Sequence, residues 1–220
     1  MKNIGLIISG IGYEDGSSIW DIAYILRQLE IANAKPIPLV PRESVERKIP
    51  GLRRKQTPIR DFRQEGQLIV RGEVYYIDEF EHRELDALII PGGKGPVSVL
   101  SSILRDGSEA LVLPEIREFV AGIYARKKPL AGIGYGASLI AFILRASVNT
   151  IITVGDDTQM IEFLKRIGTD VIKVQPDEVV FDEENNILST PGTNPNSSLY
   201  RASQGIEMLV KEVANIKVNP

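Results

Sequence analysis

Between residues 129 and 144 the chain reads Pro-Leu-Ala-Gly-Ile-Gly-Tyr-Gly-Ala-Ser-Leu-Ile-Ala-Phe-Ile-Leu: a short apolar run, glycines at 132, 134 and 136, then a helical pattern. A glycine–X–nucleophile–X–glycine spacing between strand and helix is the nucleophile elbow, whose tight turn lifts the central side chain over a sheet. Here the centre is Gly134, and glycine takes positive φ without steric penalty, so the turn can persist with no reactive atom. On its own the spacing also fits an ordinary glycine-rich strand-to-helix turn. Two other loops follow apolar runs, Ser9-Gly10-Ile11-Gly12-Tyr13-Glu14-Asp15-Gly16-Ser17-Ser18 and Pro91-Gly92-Gly93-Lys94-Gly95, and their backbone amides could cradle an anion. Gly10, Gly12 and Gly16 are spaced one residue too wide for a dinucleotide fingerprint. The acid expected after the second strand is replaced by Val40-Pro41-Arg42. Tyr135 offers a hydroxyl whose ordinary pKa of about 10 makes it a poor nucleophile. Lys94 could pair with a carboxylate ligand, and Ser138, one turn past the elbow, suits capping or packing.

Composition closes many routes. With no cysteine and one histidine among 220 residues, disulfides, thiolate catalysis, Cys-rich metal sites and two-His metal sites are excluded. A net charge of −3 supplies no global basic field for nucleic acid. No apolar run approaches the roughly 20 residues of a membrane span. Met1-Lys2-Asn3-Ile4-Gly5-Leu6 enters a strand-like run without a signal peptide's long apolar core, and the expectation is a cytosolic protein.

The elements that must position these loops alternate in type. Apolar runs at Ile4–Ser9, Pro36–Val40, Asp86–Ile90, Pro129–Ile133, Thr150–Val154 and Asp170–Val174 predict strands. Helical patterns cover Ser17–Ala34 (Ser17 or Ser18 as N-cap), Glu109–Lys127, Ala137–Leu144, Thr158–Ile167 and Ser197–Ile216. Glu178–Phe181 and Ile187–Thr190 read as a late β-hairpin, and two prolines put Pro36–Val40 at or near a sheet edge. Apolar strands separated by helices imply a mostly parallel sheet covered on both faces, so one doubly wound, flavodoxin-like α/β domain over 1–220 is expected. In such a sheet ligands bind beyond the carboxyl ends of the strands, where these loops lie. His82, ahead of the Asp86–Ile90 run, falls at the opposite end.

One stretch departs from this pattern. Residues 42–63 hold eight Lys/Arg against three acids, so the rest of the chain carries about −8. It reads as a basic insertion outside the sheet, either a solvated surface or an interface for an acidic surface of a second subunit or partner.

In this order the motifs resemble the PfpI-type branch of the class I glutamine amidotransferase-like superfamily, and within it the ElbB-like, glyoxalase-like proteins. The resemblance runs over roughly residues 3 to 215. It rests on Ile8-Ser9-Gly10-Ile11-Gly12 with Asp15-Gly16-Ser17, Leu85–Gly93, Asp106-Gly107-Ser108, Lys128-Pro129-Leu130, Thr190-Pro191 and Gly205-Ile206. It implies an elbow cysteine at position 134, activated by a first-loop glutamate at position 18 and served by amides of Gly92 and Gly93; such a thiolate would add to a small dicarbonyl. Here those two positions hold Gly134 and Ser18, while Asp15, Gly16, Ser17, Thr190 and Pro191 are retained, and Tyr135 stands where some relatives carry histidine. The resulting expectation is a fold without the family's thiol chemistry. It would bind a small carbonyl or carboxylate ligand or a partner, need no cofactor or metal, and form a homodimer, as the resemblance implies. The rivals are a lyase or hydrolase using Ser18, Tyr135 or Asp15, and a scaffold using the basic segment.

Overall fold

A computed structural model of the chain describes residues 1–42 and 60–216. A seven-stranded sheet organises it, in the order β3-β2-β1-β4-β5-β9-β8. The strands are β1 (Asn3–Ile7), β2 (Lys35–Val40), β3 (Tyr75–Tyr76), β4 (Ala87–Ile90), β5 (Leu130–Ile133), β8 (Val180–Asp182) and β9 (Ile187–Thr190). All neighbours pair in parallel except β8 with β9.

Side-chain alternation along β1 sends Ile4 and Leu6 to one face and Ile7 to the other, and each face carries its own core. Helices α1 (Ile19–Ile31) and α8 (Leu199–Asn215) cover the first face through Ile22, Ile25, Leu29, Ile206, Leu209 and Val213. The second face is covered by α5 (Pro114–Ala125) and α6 (Tyr135–Leu144), through residues such as Ile116, Val120, Leu139 and Phe142. Each fully buried Ile, Leu or Phe of this kind contributes roughly 1.5–3 kcal/mol. Ser18 caps α1, its hydroxyl accepting from the Asp21 amide at 3.3 Å. The doubly wound parallel architecture is therefore as the sequence predicts.

Four details differ. Only Ile151–Ile152 of the predicted Thr150–Val154 strand is regular (β6), and it pairs with β7 (Asp170–Val171) in a separate two-stranded sheet. Ile187–Thr190 is a hairpin arm, but it is also an interior strand paired with β5, so its four residues are all buried. The predicted 109–127 helix starts at Pro114; before it lie the short helices α3 (Gly95–Ser98) and α4 (Ile103–Asp106). Most of the predicted basic insertion, residues 43–59, lies outside the described residues. Of its described residues Arg42 and Asp61 are exposed, whereas Arg60 and Phe62 turn inward. Arg60 is buried, and α2 (Phe62–Gln67) follows, capped by Asp61, with Phe62 in the α1–α8 core. Among the described residues no helix is long and apolar enough to cross a membrane.

Candidate functional site

Residue 134 stands between β5 and α6 with φ 50° and ψ −115°, the tight turn of an elbow, which glycine adopts without strain. Its amide donates to the Thr190 carbonyl at 2.9 Å, an extension of the β5–β9 pairing that sets Ile133 opposite Thr190. A Cβ on Gly134 would meet only the Pro191 carbonyl oxygen, at 3.0 Å, so the space above the turn is open. That space is part of a cavity of about 320 Å³ beyond the carboxyl ends of β1, β4, β5 and β9. Such a volume lies at the small end of ligand sites.

Asp21, which the sequence reading passed over, forms the floor. Its side chain is fully excluded from bulk solvent, one helical turn beyond Ser18. Oδ2 accepts the Gly92 amide at 2.9 Å, and Oδ1 accepts both the amide (3.1 Å) and the hydroxyl of Thr193. Ser18 Oγ sits 2.7 Å from Thr193 Oγ1 and donates to it, since the Thr193 hydrogen is already given to Asp21. Burial pushes the Asp21 carboxyl up to about 6, against the downward pull of the Thr193, Gly92 and Ser18 hydrogen bonds. Asp21, Ile25 and Gln28 share one face of α1, and all three are buried.

The walls come from three directions. Tyr135 donates to Asp157 Oδ2 at 2.6 Å, while Asp157 Oδ1 caps α7 (Thr158–Arg166) by accepting the Met160 amide. Burial, and then this bond, push the Tyr135 phenol up; burial and the nearby Asp21 push the Tyr13 phenol up to about 12. Across the mouth, Lys94 Nζ meets Glu14 Oε2 at 2.7 Å, so the lysine expected to await a carboxylate ligand already holds one from its own chain.

The predicted site residues thus separate into two groups. Gly92, Gly93, Lys94, Gly134, Tyr135 and Pro191 line the cavity. Gly10, Gly12, Asp15, Gly16, Ser17, Ser18 and Thr190 do not, because they build the wall behind it. The first loop closes on itself, the Gly12 amide giving to the Ser17 carbonyl and the Ser17 amide to the Gly10 carbonyl. Ser17 Oγ accepts from the Ser9 amide, and Thr190 Oγ1 donates to the Glu178 carbonyl. Arg60 reaches under the loop, giving hydrogens to the Ile11 and Asp15 carbonyls and to Glu65, which in turn accepts the Ile11 amide. Ser18 caps α1, and the carboxyl group on the cavity floor belongs to Asp21, three residues further on. Ser138 is wholly buried and lies outside the lining. His82 is half-buried against Phe119 at the far end of the sheet. Among the described residues no group of three or more His, Asp or Glu could hold a metal ion.

No family model matches the chain. It is 26% identical over 227 residues to the mitochondrial ES1 protein homolog of Rattus norvegicus, covering 97% of this chain and 83% of that protein. Identity is also 26% over 227 residues to the mitochondrial glutamine amidotransferase-like class 1 domain-containing protein 3 of Homo sapiens, over 97% of this chain and 82% of that protein. These mitochondrial relatives overturn the cytosolic expectation. Among solved structures, an isoprenoid biosynthesis protein with an amidotransferase-like domain from Ehrlichia chaffeensis superposes with a TM-score of 0.85 at 25% identity, over 97% of this chain and 99% of that one. A ThiJ/PfpI domain protein from Brachyspira murdochii, 13% identical over 97% of this chain and 96% of that one, shares the fold at a TM-score of 0.61. This chain has the PfpI-like fold of the class I glutamine amidotransferase-like superfamily.

Proposed function

We propose that the chain binds a small polar molecule in the elbow cavity without forming a covalent bond to it. The observation that carries this reading is the elbow itself: the tight turn and the cavity above it are present, and the residue at its tip is Gly134. Loss of a nucleophile that acts as a unit with its base costs on the order of 10⁶ in rate, leaving the roughly 10³–10⁴ that positioning and electrostatics supply. Neighbours do not compensate. Tyr135 is held protonated, and the Gly92 amide is engaged by Asp21 instead of facing a developing oxyanion.

Asp21 favours one second reading. A buried carboxyl titrating near 6 is suited to accept a proton at neutral pH, as a cysteine-free lyase or isomerase would need. One assay separates the two. Purified protein incubated with methylglyoxal is expected to yield no lactate above the buffer rate, and robust turnover would overturn the binding reading.

A further inference from the structure

We propose that the elbow cavity selects a small organic cation, a hydroxylated or carbonyl-bearing primary amine, over a carboxylate. This deepens the binding reading above and rests on it. Four carboxylates line the cavity, from three separate places: Glu14 on the first loop, Asp21 on α1, and Asp156 and Asp157 at the start of α7. Lys94 is the single cation among the described lining residues, and Glu14 already engages it at 2.7 Å. Asp21 and Asp157 are satisfied by neutral donors, namely amides, a threonine hydroxyl and the Tyr135 phenol, and among the described residues no Lys or Arg pairs with either. The opposing field is weaker: the amino ends of α1, α6 and α7 each amount to roughly half a positive charge, less in sum with Lys94 than the four carboxylates.

Two further features fit an ammonium group. Tyr13 and Tyr135, both half-buried in the lining, present aromatic surface whose faces attract cations. Pro191 O lies beside the bare Gly134 turn and adds a neutral acceptor where the family's side chain would stand. A metal ion is the poorer occupant. It requires several ligands converging at about 2.0–2.6 Å, and no described group of acids converges in that way. An ammonium group needs only hydrogen-bond acceptors placed around it.

The test uses three probes on one three-carbon skeleton, with the full chain and titration calorimetry: 1-amino-2-propanol (cation), 1,2-propanediol (neutral) and lactate (anion). The amine is expected to bind at least about tenfold more tightly than the diol, with lactate weakest, as a difference of ~1.4 kcal/mol requires. Asp156→Asn/Asp157→Asn should cost the amine about tenfold more than it costs the diol, since asparagine still caps α7, and equal losses for the two probes would overturn the cation assignment. Tightest binding by lactate or the diol overturns the cation assignment and leaves the ligand-binding reading standing. Binding by none of the three overturns both.

Discussion

The Gly92 amide donates to Asp21 Oδ2 at 2.9 Å, so a carboxylate of the same chain holds one of the two amides that the resemblance assigns to an oxyanion. The bond ties the first turn of α1 to the loop after β4. It also explains the glycine, because a Cβ at position 92 would lie 2.5 Å from that same oxygen. With Thr193 on the other carboxylate oxygen, Asp21 joins three chain segments at one point, and the cavity floor is therefore an acceptor surface.

Asp21 should make stability depend on pH in the direction opposite to a salt-bridged acid. Its folded-state pKa of about 6 lies above the ordinary 3.8, so the folded protein binds the extra proton between these values. The destabilisation is fully present above about pH 7 and is relieved as pH falls toward 4. A shift of about two units corresponds to roughly 3 kcal/mol. Urea unfolding of wild type and Asp21→Asn from pH 4 to 8 isolates the effect. The difference should move by that amount in favour of wild type at low pH, and a flat difference would return Asp21 to an ordinary carboxylate.

The two cavity phenols should ionise late. Absorbance at 295 nm, followed through alkaline titration of the seven tyrosines, should show a late step to which Tyr13, near pH 12, and the likewise upshifted Tyr135 contribute. Tyr135→Phe should shrink that step and cost about 1.5–3 kcal/mol, the range for a hydrogen bond to a charged group. An unchanged late step would place the Tyr135 hydroxyl in solvent.

Arg60 should stabilise the first loop from beneath. Its side chain is 1% exposed and bonds to two loop carbonyls and Glu65, while stacking over Phe62 at 5.2 Å. Arg60→Ala should cost about 3 kcal/mol, as when a buried charge loses its partner. Amide exchange at Gly12 and Ser17, whose hydrogen bonds close the loop, should quicken selectively. Exchange rising uniformly over the chain would assign Arg60 a global role only.

What the sequence discloses here is what local patterning controls. The apolar runs of β1, β4 and β5 announce buried parallel strands, and the glycines at 132, 134 and 136 locate the elbow, because such signals lie within a few adjacent residues. Asp21 escapes because its role depends on partners 71 and 172 residues away, Gly92 and Thr193. From the sequence alone it is one acid in the first turn of an amphipathic helix, where acids are ordinary. Arg60 escapes for a similar reason: a cation in a run of cations reads as surface, and only the fold shows two carbonyls of a distant loop waiting for it. Ile151–Ile152 was legible as strand but not as part of a second sheet, since alternation identifies a strand and not its neighbour.

Gly134→Cys should restore chemistry to the turn, and Asp21 decides how much. The substitution places a side chain at φ 50° and ψ −115°, a sparsely populated conformation that costs about 1–3 kcal/mol, and sets its Cβ 3.0 Å from the Pro191 oxygen, so a lower urea midpoint is expected. The new thiol faces the cavity and should react with iodoacetamide, whereas Gly134→Ala carries the same strain without that reactivity. Ser18→Glu is the wrong companion: it would remove the α1 cap and force a carboxyl against Thr193, while Asp21 already occupies the floor. The single variant should therefore convert methylglyoxal to lactate. Gly134→Cys/Asp21→Asn should lose about a hundredfold of that rate, the low end of general acid–base contributions. Equal rates in the two variants would mean that Asp21 moves no proton, and its buried carboxyl would then serve only to join α1 to Gly92 and Thr193.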